Sequence, residues 1–74
     1  MSLHHRLAAA EEIRALLARR RISQREFGAA LNLSQSGVSR RLDGKTPFTL
    51  DELAAAADFL DVPVSAFFGE ARAS

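Results

Sequence analysis

Two four-residue segments, Ser23-Gln24-Arg25-Glu26 and Thr49-Leu50-Asp51-Glu52, constrain this chain more than any other feature. Each places a hydroxyl three residues before a carboxylate, the capping-box pattern in which both side chains satisfy backbone N–H groups left orphaned at a helix start. Helices are therefore predicted to begin just after Ser23 and Thr49. Ser34 offers a third N-cap, which puts a short helix over 35–42, and Asp43-Gly44 stops it. Asn32, which tolerates the left-handed conformation of a helix exit, separates the second helix from the third. Upstream, Leu3, Leu7, Ala10, Ile13, Leu16 and Leu17 recur at steps of three and four, with Arg6, Glu11, Glu12, Arg14 and Arg19 between them. That is an amphipathic helix over 3–21, closing on Arg19, Arg20 and Arg21 where cations suit a helix C-terminus. After Thr49, one face carries Leu50, Leu53, Ala54, Ala57 and Leu60. Asp61 marks the exit, and Pro63 opens a last short helical turn holding Val64, Phe67 and Phe68. Nothing alternates with period two over a useful length. The expectation is an all-α, compact five-helix fold forming a single domain over 1–74, with no repeat or linker to divide it.

Composition narrows the function classes. The 74 residues include no Cys, which removes disulfides, thiolate metal sites and cysteine nucleophiles together. A 47% hydrophobic and 26% charged composition is that of a folded globule. No apolar run approaches the roughly 18–20 residues of a membrane span, and no signal-peptide pattern opens the chain, so a cytoplasmic home is expected. No nucleophile and base stand at recognisable spacing, and the chain is small for a substrate pocket, so it does not read as an enzyme. His4 and His5 read as a frayed terminus with no metal role. No cofactor and no small-molecule ligand are expected. The run Ala54 to Ala57 favours helix and close packing only. The net charge of +1 hides an asymmetry: through Thr46 there are nine Lys and Arg against four acids, and from Pro47 onward only Arg72 against five acids. An electropositive part that meets a polyanion and an acidic part that does not would look like this.

The informative stretch runs from Ser23 to Leu53. Two short helices are joined by a turn of about three residues, with Gly28 in the first of them where the two axes must cross closely. Val38 supplies the apolar contact back from the second. Its outward positions, Gln35, Ser36, Ser39 and Arg40, carry hydrogen-bonding side chains of the type that read base edges in a major groove. Arg41 and Lys45 are cations suited to phosphates. Taken together, Ile22-Ser23-Gln24, Phe27-Gly28, Leu31, Leu33-Ser34-Gln35, Val38-Ser39-Arg40, Gly44-Lys45, Leu50 through Leu53 and the closing Val62 to Phe68 resemble the phage repressor and Cro type of helix-turn-helix, also called the xenobiotic-response-element family. The resemblance covers about residues 10 to 68, with the helix-turn-helix at about 24–42.

That resemblance implies a lambda-repressor-like domain and a sequence-specific regulator of transcription bound to double-stranded DNA, a repressor in the absence of a visible effector-binding domain. Gln35, Ser36, Ser39 and Arg40 would face the bases. Gln24, Ser34, Arg41, Lys45 and Thr46 would meet phosphates, with main-chain N–H groups of the turn 43–46 as further donors. Four positions depart from the family pattern. Asn32 replaces the usual turn glycine. Arg41 stands where an apolar residue is usual, so either its stem covers apolar surface while its guanidinium reaches a phosphate, or the recognition helix is rotated. Leu42 and Leu17 stand where many members pair a glutamate with an arginine, and the two leucines are expected to meet in the core. A single recognition helix reads only a few base pairs, too few to find one site in a genome, so a homodimer on a near-palindromic operator is expected, with Val64, Phe67 and Phe68 as the contact. The reading of a different class is a protein-interaction module on the same fold, antitoxin-like or a partner-binding subunit.

Overall fold

The computed structural model of the protein describes residues 3–68, with side chains from Ala8 onward. The side chains of Leu3, His4, His5, Arg6 and Leu7, and Arg72, lie outside the described residues. Four α-helices follow in order: α1 (Leu3–Arg20), α2 (Gln24–Leu31), α3 (Gln35–Leu42) and α4 (Leu50–Leu60). No strand occurs among the described residues. The fifth expected helix is instead a single 3-10 turn, Val64–Phe67. Pro63 sets its start, and by Phe68 the backbone has already left helical space (φ −124°, ψ 54°), too short a piece to close α-helical hydrogen bonds.

Both capping boxes form. Ser23 Oγ accepts from the Glu26 N–H at 3.0 Å while Glu26 Oε1 accepts from the Ser23 N–H at 2.9 Å. At α4, Thr49 Oγ1 accepts from Glu52 N–H at 3.1 Å and Glu52 Oε1 from Thr49 N–H at 3.0 Å. Ser34 Oγ accepts from the Gly37 N–H at the start of α3. Three helices exit through a residue in the left-handed region: Arg21 (φ 57°), Asn32 (φ 59°) and Asp61 (φ 57°). Asn and Asp take this conformation readily; Arg does not. The turn is nonetheless secured, because Ile22 N–H donates to Leu17 O at 2.9 Å and so satisfies a carbonyl that the end of α1 would leave bare.

The core is one cluster drawn from every element: Ile13 and Leu17 of α1, Phe27 and Leu31 of α2, Val38 and Leu42 of α3, Leu53, Ala56, Ala57 and Leu60 of α4, and Phe67. Phe27 stands at its centre, with the Phe48 ring edge-on at 6.4 Å and the Phe59 ring tilted at 6.3 Å. Complete burial of side chains this size contributes about 1.5–3 kcal/mol each. Leu17 and Leu42, 4% and 3% exposed, belong to this core as the sequence predicts. They also line a shallow cavity of about 190 Å³ with Arg14, Ala18, Ile22 and Gln24. Arg20 at the end of α1 donates from its guanidinium to Leu60 O, placing a cation at the C-terminus of α4.

Candidate nucleic-acid interface

The angle between α2 and α3 is set at one glycine. A Cβ on Gly28 would stand 2.9 Å from Leu33 O and 2.9 Å from Val38 Cγ2, so only hydrogen lets the two helices approach this closely. Val38 then locks α3 by its apolar side. At about 100° per residue, Ser36 and Arg40 fall nearly opposite Val38, and Gln35 and Ser39 fall on one flank. Gln35, Ser36 and Arg40 are exposed and Ser39 is half-buried. Ser36 and Arg40 thus face outward, Ser39 borders the buried stripe, and Gln35, about 60° round from Val38, is exposed by its place in the first turn. Gln24, the exposed first residue of α2, and Lys45, exposed in the turn after α3, lie at the two ends of the helix-turn-helix.

The turn after α3 differs from expectation. Its main-chain N–H groups do not face outward: Asp43 donates to Ser39 O (2.9 Å), Gly44 to Arg41 O (3.1 Å), and Lys45 and Thr46 both to Arg40 O (2.9 and 3.3 Å). They close the end of α3, and Gly44 at φ 79° supplies the reversal this requires. The donors this turn has left to offer are therefore side chains, the Lys45 ammonium and the Thr46 hydroxyl. Thr46 Oγ1 also accepts from Arg40 Nε at 3.4 Å. Ser34 Oγ accepts from the Gly37 N–H and lies 3.4 Å from Ser36 Oγ, where either hydroxyl can donate to the other.

Arg41 also departs from the phosphate role. Its Nε donates to Glu52 Oε1 at 2.9 Å and its Nη1 to Gly37 O at 3.0 Å, with the Arg41 and Glu52 side chains only 17% and 16% exposed. Burial acts to raise the Glu52 carboxyl, but hydrogen bonds from Arg41 and Thr49 and the guanidinium charge outweigh it and hold the group below its ordinary range. The Glu52 carboxyl is therefore ionised at neutral pH. Of the expected dimer contacts, Phe67 is fully buried and has no area to offer a partner, because the 3-10 turn aims it into the core. Val64 is 39% exposed, and Phe68 is half-buried against the core.

Two functional features lay beyond the sequence reading. Arg14, from α1, donates to Leu42 O at 3.4 Å and lies 3.8 Å from Asp43 Oδ1, so it grips the C-terminus of α3. Its place on the polar side of α1, one turn before Leu17, was the available signal. Leu50, 81% exposed beside the capping box of α4, was counted on the buried face by its spacing. Its position as the first residue of the helix, before the packed turns, puts it in solvent. No helix among the described residues is long and apolar enough to cross a membrane.

A family model described as helix-turn-helix matches residues 13–67. No curated protein and no solved structure matches the chain at a significant level.

Proposed function

The chain belongs to the Cro/C1-type helix-turn-helix family of DNA-binding transcription regulators, and on that premise we propose that it is a repressor whose α3 reads a near-palindromic operator. The observation that carries this reading is the polar side of α3: Ser36 and Arg40 stand nearly opposite the buried Val38, with Gln35 exposed in the first turn and Ser39 half-buried on the same flank. Arg40 suits guanine O6 and N7, and Gln35 an adenine edge. Gln24, Ser34, Lys45 and Thr46 hold phosphates on either side, which fixes register without carrying sequence information. Occupying a promoter needs nothing beyond such binding, so repression by exclusion fits a domain of this size in the cytoplasm.

Four reading side chains specify too little sequence alone, so the bound species is a two-fold dimer with half-sites about 10 base pairs apart. Its contact is built from Val64 and Phe68 without Phe67. So small an apolar area favours pairing on the operator over pairing in free solution.

Selection of duplexes from a random pool, with binding measured against salt, tests the proposal. Arg40→Ala should cost about 1–3 kcal/mol on the selected duplex and relax the preference at one base pair, whereas Lys45→Ala should weaken all duplexes alike and lower the salt slope by about one. Failure to enrich any sequence would leave the interaction-module reading in its place. Saturation at one chain per operator would refute the dimer.

A further inference from the structure

We infer that Arg41 is a positioning residue for base reading: its ion pair with Glu52 fixes the rotation of α3 about its own axis, and it does not itself contact DNA. This rests on α3 being the reading helix, as proposed above. The recognition helix has only two buried side chains, Val38 and Leu42. They lie about 40° apart around the axis at 100° per residue. Two contacts on so narrow a stripe hold the helix down but leave it free to roll along that stripe. A roll of a few tens of degrees would carry Gln35 and Arg40 away from the base edges they face.

Beside the long, exposed Arg14 contact at the C-terminal end of α3, Arg41 supplies the sheltered off-axis support, about 100° round from Leu42. Its guanidinium is held at two points, Gly37 O on its own helix at 3.0 Å and Glu52 Oε1 on α4 at 2.9 Å. The Gly37 contact locks the side chain to α3; a Cβ on that glycine would come 3.4 Å from Arg41 Nη1. The Glu52 oxygen is itself fixed, because it also accepts the Thr49 N–H at 3.0 Å in the capping box of α4. A rigid donor thus meets a rigid acceptor, and the connection runs from the backbone of α3 to the first turn of α4. Both groups are largely withdrawn from water, where such a pair is weak evidence for net stability, while its hydrogen bonds remain directional. A phosphate contact would require breaking that pair.

The test compares Arg41→Met, Glu52→Gln and the double variant with the unmodified chain. Each binds the duplex that the unmodified chain selects from a random pool, and a random duplex of equal length, over a range of salt. Thermal unfolding reports folding, and Glu52→Gln, whose amide oxygen still accepts the Thr49 N–H, serves if Arg41→Met does not fold. Each single variant should lower the ratio of selected to random affinity by about tenfold, the worth of about one base contact. The double variant should lower it no further, and the salt slope should stay unchanged. A phosphate contact predicts the opposite pattern: Arg41→Met would reduce the slope by about one with the ratio intact, and Glu52→Gln would free the guanidinium and tighten binding to both duplexes. That pattern, or a ratio unchanged in both single variants, overturns the inference and leaves the DNA-reading proposal standing. If the unmodified chain enriches no duplex, both fall.

Discussion

Replacing Gly28 by alanine sets two effects of known sign against each other. In an open helix the change stabilises by about 0.8–1 kcal/mol, since alanine loses less backbone freedom on folding. Here the new methyl carbon would stand 2.9 Å from both Leu33 O and Val38 Cγ2, several tenths of an ångström inside ordinary contact. Neither neighbour can step aside cheaply. Leu33 O belongs to the backbone of the turn, whose N–H donates to Gly28 O at 2.8 Å, and Val38 is β-branched and held to one rotamer in its helix. Relief must come from moving α3 off α2, and overpacking of this kind costs about 1–3 kcal/mol. With two immovable contacts the cost falls in the upper half of that range, about 2–3 kcal/mol, so overpacking wins with a net loss of about 1–2 kcal/mol and a melting temperature lower by about 5–15 °C for a domain of this length. Thermal and urea unfolding followed by circular dichroism measure it. Val38→Ala in the same chain should recover part of the loss, so that the double variant is less damaged than the two single losses summed. A Gly28→Ala protein as stable as the parent, or more so, would refute the close-approach account of the α2–α3 angle.

Two further outcomes follow from burial and charge. Phe67→Ala should cost about 3–5 kcal/mol, a large share of the stability of so small a domain, while Phe68→Ala should cost clearly less and instead weaken pairing on the operator; sedimentation and urea unfolding separate the two, and equal losses of stability would place both rings in the core. Glu52 has a folded pKa below its ordinary 4.5, so its contribution is fully present above that value and is lost as pH falls through the folded value. Melting temperature should drop in that acid window, and Glu52→Gln should be less stable than the parent at pH 7 and show less of the acid drop; an unchanged acid profile in the variant would assign the loss to other carboxylates.

Most of the fold was legible because its punctuation is local. A capping box joins residues three apart, so Ser23 with Glu26 and Thr49 with Glu52 announce their helices whatever the rest of the chain does. The exits at Asn32 and Asp61 are legible for the same reason. The exposure of Ser36 and Arg40 on α3 was also legible, since both fall nearly opposite Val38 by the helix period. What escaped depends on distance or on a change of period. Glu52 lies 11 residues beyond Arg41, across a turn whose path no local pattern specifies. The closing segment was read with α-helical spacing, yet a 3-10 turn advances three residues per turn, and that choice sends Phe67 inward and leaves Phe68 at the edge.

The departures at Leu17, Leu42 and Arg41 make sense as one rearrangement. Many helix-turn-helix domains that this chain resembles tie α1 to α3 by an ion pair at the positions of Leu17 and Leu42. Here those positions are buried leucines, an exchange that is often neutral or stabilising because no charge has to be desolvated. Packing of two leucines, however, has no direction, and it cannot dictate how α3 is turned. Direction returns through arginines at the margins of the same helix: Arg14 reaches Leu42 O and Asp43 from α1, and Arg41 reaches Glu52 on α4. The more exposed Arg14–Asp43 pair, at 3.8 Å with both side chains about half in water, adds little stability at ordinary salt. The Arg41–Glu52 pair is shorter and sheltered. An apolar centre that supplies stability, with hydrogen-bonded arginines at its edge supplying orientation, separates two tasks that a single buried ion pair would otherwise combine.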